Sequence, residues 1–140
     1  MDVVGSSASR VELEAAQRSF DDGFRRDAGA ALSDWFAHDA QLLWPEQAAI
    51  VGQDAIGQAF AEFALAFETI SFEPMYDLVD VQGPLAVVIG SFIEMRRSRE
   101  DPVVERVHGR LAYSWRLDAG NWRITRLITS RYAPTEVVAK

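Results

Sequence analysis

The stretch that most constrains the fold runs from Trp35 to Ile56. It reads Trp35-Phe36-Ala37-His38-Asp39-Ala40-Gln41-Leu42-Leu43-Trp44-Pro45 and then Ile50-Val51-Gly52-Gln53-Asp54-Ala55-Ile56. In order it gives a helix end, a strand, a reversal at Pro45-Glu46-Gln47, a short returning strand, a glycine that breaks it, and the start of another helix. A strand pair set between helices and followed only by strands is an α+β pattern, in which a curved sheet wraps the helices around a hollow.

Upstream, Ser9-Arg10-Val11-Glu12 has the form of a capping box, and Leu13, Ala16, Phe20 and Phe24 recur at helical spacing. They predict a first helix with an aromatic face. Asp27 is placed to cap a second, shorter helix carrying Leu32, Trp35 and Phe36 and closed by His38-Asp39. Residues 40–44 and 48–51 are the strand pair, and Asp54 caps a third helix with the stripe Ile56, Phe60, Phe63 and Phe67. Strands follow at 71–81, 85–97, 103–117 and 122–132, with Pro74 marking an edge or a bulge.

Alternation assigns faces to these strands. Val107, Gly109, Leu111, Tyr113, Trp115 and Leu117 point toward the helices, and Arg106, His108, Arg110, Ser114 and Arg116 point away. The same logic gives Leu85, Val87, Ile89, Ser91, Ile93 and Met95 as the inner set of the preceding strand, which puts Glu94 outside. In the last strand, alternation alone turns Trp122, Ile124, Ile128 and Tyr132 inward.

Composition narrows the partners. The chain of 140 residues reads as a single domain over 1–140, with 1–8 and 135–140 frayed. A net charge of −7 and a pI near 4.8 repel phosphate backbones, so no nucleic acid is expected. The absence of cysteine removes thiolate chemistry and fits a reducing, cytoplasmic setting. The first ten residues lack the pattern of a secretory signal, and the apolar run 85–89 is too short to span a membrane. Neither a phosphate loop nor a dinucleotide fingerprint occurs, so no cofactor is expected. His38 and His108 lack a carboxylate at ligand spacing, so no metal is expected either.

Phe36-Ala37-His38-Asp39-Ala40, Val51-Gly52-Gln53-Asp54-Ala55-Ile56 and Asp118-Ala119-Gly120-Asn121-Trp122-Arg123-Ile124, in that order and spacing, resemble the nuclear-transport-factor-2-like superfamily, in particular its SnoaL-like and ketosteroid-isomerase-like branch. The resemblance spans about Val11 to Pro134. It implies a cone-shaped, cystatin-like α+β fold, a mixed and largely antiparallel sheet wrapped around three N-terminal helices. It also implies a homodimer through the outer sheet face, where the arginines of the long hairpin gather. Carried over by position, the isomerase's base falls on Trp44, its helix-1 tyrosine on Phe20 and its donor aspartic acid on Tyr113. That isomerisation is therefore not expected to run with that machinery. The resemblance turns Thr129 and Arg131 toward the pocket against simple alternation, and a bulge would reconcile the two.

Tyr113 is the leading catalytic candidate, as a hydrogen-bond donor or acid on a ligand oxygen; the other reading is a core tyrosine. Asp77 is the candidate base, or else a rim charge. Trp44, Trp115, Phe20 and Leu111 would shape an apolar pocket, and Ser91 and Thr129 would each add a hydroxyl. Arg131 would hold an anionic oxygen, or is an exposed charge near the chain end. Two functions remain open. One is a cofactor-independent enzyme acting on a small hydrophobic oxygenated molecule, of isomerase, cyclase, dehydratase or epoxide-opening type. The other is a non-catalytic small-molecule-binding or dimerisation module.

Overall fold

The computed structural model describes residues 3–26 and 29–139, with side chains from Ser9 onward. Helix α1 (Val3–Arg26) runs straight through Ser9–Glu12, so the capping box lies inside the helix rather than at its start. Leu13, Gln17, Phe20 and Asp21 are buried along one side. Their spacing of four, seven and eight residues is that of a single helix face, and two of its members are polar. The cap expected at Asp27 falls outside the described residues.

The second helix is a short 3-10 segment, Ala30–Trp35, entered from Gly29. Phe36 takes extended backbone and already belongs to strand β1 (Phe36–Leu43). His38 and Asp39 therefore lie within this strand, both exposed, and do not close a helix. Strand β2 (Ile50–Val51) pairs antiparallel with β1, Gln41 facing Val51. Gly52 caps helix α2 (Gln53–Ala66) with φ 94°, a left-handed value that suits glycine. Asp54 makes no cap; it sits in the first turn, where a carboxylate meets the positive end of the helix dipole. Ile56 and Phe60 are buried, and Phe67 leaves the helix to begin a strand.

Strands β3 (Phe67–Gln82), β4 (Leu85–Ser98), β5 (Val104–Asp118) and β6 (Asn121–Arg131) form the long antiparallel part of the sheet. The sheet order is β2-β1-β6-β5-β4-β3, and the β1–β6 contact is parallel. The tail expected to fray forms β7 (Glu136–Ala139) against the start of β5. Glu136 helps to pin it there, 2.7 Å from the His108 ring and 3.6 Å from Arg106.

Three details of register decide what faces the helices. In β4 the buried set is Ala86, Val88, Gly90 and Glu94, while Leu85, Val87, Ile89 and Ile93 are exposed, one residue out of phase with the expectation. Both alternations of β4 are apolar, so hydrophobicity cannot choose between them. Pairing does choose, because residues directly opposite share a face: Ala86 faces Trp115, Val88 faces Tyr113 and Glu94 faces Val107.

In β3 a bulge makes Asp77 the extra residue between the pairs Tyr76–Gly90 and Leu78–Ile89. The β3 backbone lies so close over Gly90 that a Cβ there would collide with the Met75 carbonyl. In β6 Thr125 is the extra residue between Arg126–Ser114 and Ile124–Trp115. Past that bulge the phase flips. Leu127 and Thr129 turn inward, while Ile128 and Tyr132 are exposed.

Candidate functional site

A cavity of roughly 740 Å³ opens between α2, the turn after β1 and the concave face of the sheet. Its body is aromatic, with Phe20, Trp44, Phe60, Phe63 and Phe72 contributing rings that meet edge-on or tilted. Its polar lining includes Tyr113, Glu94, Arg96, Thr129, Ser130 and Arg131.

Glu94 is 4% exposed, a cost that a carboxylate bears only with partners. Its Oε2 accepts a hydrogen bond from the Thr69 hydroxyl at 3.0 Å. Burial pushes its carboxyl above the usual range. The nearby Arg96 charge and the Thr69 bond pull the other way, and Glu105 adds to the rise. Arg96 is itself fixed by Glu105 at 3.3 Å and by the Phe67 ring, 4.1 Å from its guanidinium.

A second polar cluster lies behind Tyr113. The Tyr76 hydroxyl donates to Asp21 Oδ2 at 2.6 Å. Gln17 Nε2 donates to Asp21 Oδ1 at 3.2 Å and to the Tyr76 oxygen at 3.1 Å. Trp115 Nε1 donates to Gln17 Oε1 at 2.9 Å. Burial pushes Asp21 up to about 6, opposed by the bonds from Tyr76 and Gln17 and by Arg25. Burial and the Asp21 charge also raise Tyr76 and Tyr113, so both phenols stay protonated at neutral pH. Tyr113 packs edge-on to Phe20 and Tyr76 and stacks on Trp115.

The structure brings Tyr113, Trp44, Phe20, Leu111, Thr129 and Arg131 to one cavity. Asp77 is excluded: the bulge sends its side chain to solvent, and it does not line the cavity. Ser91 is excluded as well, since it shares the outward phase of Ile89 and Ile93. Trp115 faces inward but is sealed in the core, with its indole committed to Gln17.

Sequence reasoning missed Glu94, Arg96, Asp21, Gln17 and Tyr76. Gln17 and Asp21 were detectable as members of the Leu13–Phe20 helix face. Glu94 was detectable by counting back across the 98–103 turn to its partner Val107. Among the described residues no three His, Asp or Glu side chains gather to hold a metal ion, and no helix is long and apolar enough to cross a membrane.

Solved structures share this architecture. A ketosteroid isomerase-like protein from Erwinia carotovora atroseptica superposes with a TM-score of 0.80 at 21% identity, over 89% of this chain and 96% of that one. An NTF2-like superfamily protein from Salmonella enterica serovar Typhimurium gives 0.77 at 16%, over 91% and 94%. This chain has the NTF2-like fold. A Novosphingobium aromaticivorans protein provisionally named a scytalone dehydratase gives 0.81 at 15%, over 95% and 89%. No protein-family model and no curated protein matches the sequence. At these identities the likeness concerns the NTF2-like architecture, and the chemistry has to be argued from the cavity.

Proposed function

We propose that the chain is a cofactor-independent enzyme that moves a proton on a small, hydrophobic, oxygenated molecule, in an isomerase, cyclase, dehydratase or epoxide-opening reaction. The observation that carries this reading is Glu94: a buried carboxyl with a raised pKa, lining an aromatic cavity that Tyr113 also lines. A carboxyl whose pKa is raised by burial is suited to general acid or base work. It takes the role that Asp77 cannot fill. Tyr113 is the oxyanion donor, and Arg96 and Arg131 favour an anionic oxygen or transition state. The names of two of the fold neighbours, isomerase-like and dehydratase, fit this class of chemistry.

A thermal-shift screen of steroid-like, polyketide-like and terpenoid compounds should find a ligand that raises the melting temperature. Turnover of that ligand or a close analogue should fall roughly 100-fold in Tyr113→Phe with the fold retained. Binding without turnover would favour the non-catalytic binding module, and no hit in any class would remove the small-molecule reading.

The partner proposed is a second copy of the chain. The outer face of β4 exposes Leu85, Val87, Ile89 and Ile93, between 38% and 56% each, an apolar strip of the kind an isologous interface covers. Ile89→Arg should shift sedimentation from dimer to monomer. The cysteine-free composition supports a cytoplasmic location.

A further inference from the structure

Strand pairing sets a cation beside an aromatic floor in the cavity. Arg131 is paired with Gly109 and Gly109 with Phe92, so the three form one row across β6, β5 and β4. Arg131 and Phe92 both line the cavity. The middle of the row carries no side chain, and the Phe92 ring takes that place: a Cβ on Gly109 would collide with it. The ring thus lies toward Arg131. It ends a run of aromatic contacts, Phe92 to Phe72 at 5.6 Å, Phe72 to Phe24 at 5.0 Å and Phe24 to Phe63 at 5.7 Å. Thr129 stands one step deeper than Arg131 on the same face, about 7 Å along the strand. Tyr113 is a further step in, opposite Leu127.

The two arginines of the cavity differ in what already holds them. Arg96 is paired with Glu105 and packed on the Phe67 ring. Arg131 has no carboxylate within ion-pair distance among the described residues. Glu62, which lines the cavity from α2, accepts from Gln58 at 3.3 Å instead. Glu94 belongs to the next row, opposite Val107, and accepts from Thr69. Arg131 therefore presents an unmatched planar fork of donors at the exposed end of an aromatic wall.

We propose that the ligand is an aromatic carboxylic acid, its carboxylate held by Arg131 and its ring laid along Phe92. This rests on the reading that the cavity takes a small hydrophobic oxygenated molecule, and it names the class. A carboxylate meets the guanidinium fork with two parallel hydrogen bonds, and the Thr129 hydroxyl lies next along the same face. A phosphate suits the place less well, because Glu62 and the net charge of −7 both oppose a dianion. The anchor also sets direction. The acid group stays at the exposed end, and the rest of the molecule reaches inward to Tyr113.

The test is isothermal titration calorimetry of the full chain at neutral pH with benzoic, naphthoic and anthracenecarboxylic acids, each against its methyl ester. Acid and ester share a ring system and differ in charge. The acid of the best-fitting pair should bind the native protein at least about tenfold more tightly than its ester, the worth of one charge-assisted hydrogen bond. Arg131→Gln should weaken the acid alone and bring the two affinities together. Arg110→Gln removes an equal charge from the outer face of β5, where Arg110 lies over the Tyr132 ring, and should leave the preference intact. Arg131 is exposed and unpaired among the described residues, so its variant should keep the native melting temperature. An ester that binds as tightly as its acid would overturn the proposal and leave the small-molecule reading standing. A preference that survives in Arg131→Gln, or is lost equally in Arg110→Gln, would overturn the assignment to Arg131. No binding by any pair at millimolar concentration would overturn the proposal as well, and the neutral compounds of the thermal-shift screen then decide the small-molecule reading alone. A preference abolished by Arg131→Gln supports the proposal even where no acid is turned over, a result that would count against the enzyme and for the binding module.

Discussion

Asp21 and Glu94 are almost equally buried, at 3% and 4% exposure, and desolvation raises both. They differ in what else they touch. Asp21 accepts hydrogen bonds on both oxygens and is walled off by Tyr76, Gln17 and the rings around Tyr113. Glu94 accepts one, from Thr69, and lines the cavity. Burial thus sets the readiness of a carboxyl to hold a proton, and the number of lone pairs left over decides whether a ligand can use it. The direction of the pKa shift alone would group the two, whereas the hydrogen-bond accounting separates them.

The sharpest way to break this comparison is to neutralise each carboxyl in turn. Glu94→Gln keeps the shape and an acceptor for Thr69 but cannot carry a proton. Turnover should fall by roughly 10²–10⁴-fold, about 3–5 kcal/mol in the barrier, with the melting temperature nearly unchanged. Asp21→Asn should cost about tenfold or less at neutral pH, because Asp21 does not line the cavity and Tyr113 keeps its own proton. Equal losses in steady-state kcat would abolish the distinction between a group in the cavity and one behind its wall.

The next effect is thermodynamic and belongs to Asp21. Its carboxyl moves from 3.8 to about 6 on folding. Between those values the native state holds a proton that the unfolded state has released, so stability contributed by this group falls as pH rises. The contribution is fully present below about pH 4 and gone above about pH 6, a total of about 3 kcal/mol for a shift of roughly two units. Chemical denaturation of Asp21→Asn and native protein in parallel should show the difference, variant minus native, rising by about that amount across the window. A flat difference would mean that Asp21 titrates normally.

The order of elements made the architecture legible. The strand pair between helices, the Gly52 break and the run of long strands are punctuated by residues whose backbone preferences are strong. The candidate site was only half legible, for two physical reasons. β4 is apolar on both alternations, and its phase is set by pairing to β5, information that is non-local. The bulges at Asp77 and Thr125 each insert one residue, which moves every later side chain to the other face. Tyr113 was assigned to the inner face because from Arg106 to Arg116 β5 carries its charged residues on the opposite alternation only. Gln17 and Asp21 lay on a helix face read as aromatic, and polar members of such a stripe are easily passed over.

Gln17→Leu sharpens the view of the enclosed cluster. It removes the partner of the Trp115 indole and one donor each from Asp21 and Tyr76, so the protein should lose about 2 kcal/mol of stability in urea unfolding. The Asp21 midpoint should rise, because a bond that favours its charged form is gone. Unchanged stability would show that the cluster is not as tightly coupled as its geometry implies.

The smallest effect comes from the corresponding substitution at the open site, Thr69→Val. It deletes the hydroxyl that donates to Glu94 Oε2, and valine fits a strand position of the same shape. Glu94 keeps the charge of Arg96 nearby, and the cavity gives its freed oxygen room for water, so stability should change by less than about 1 kcal/mol. The Thr69 bond holds the Glu94 carboxyl down, so its loss should move the acid limb of the pH–rate profile upward. The enclosed carboxyl should therefore respond to a lost donor mainly in stability and the open one mainly in its titration. An acid limb that stays in place in Thr69→Val would remove Glu94 from the ionisation that governs turnover, and with it the contrast between the two carboxyls.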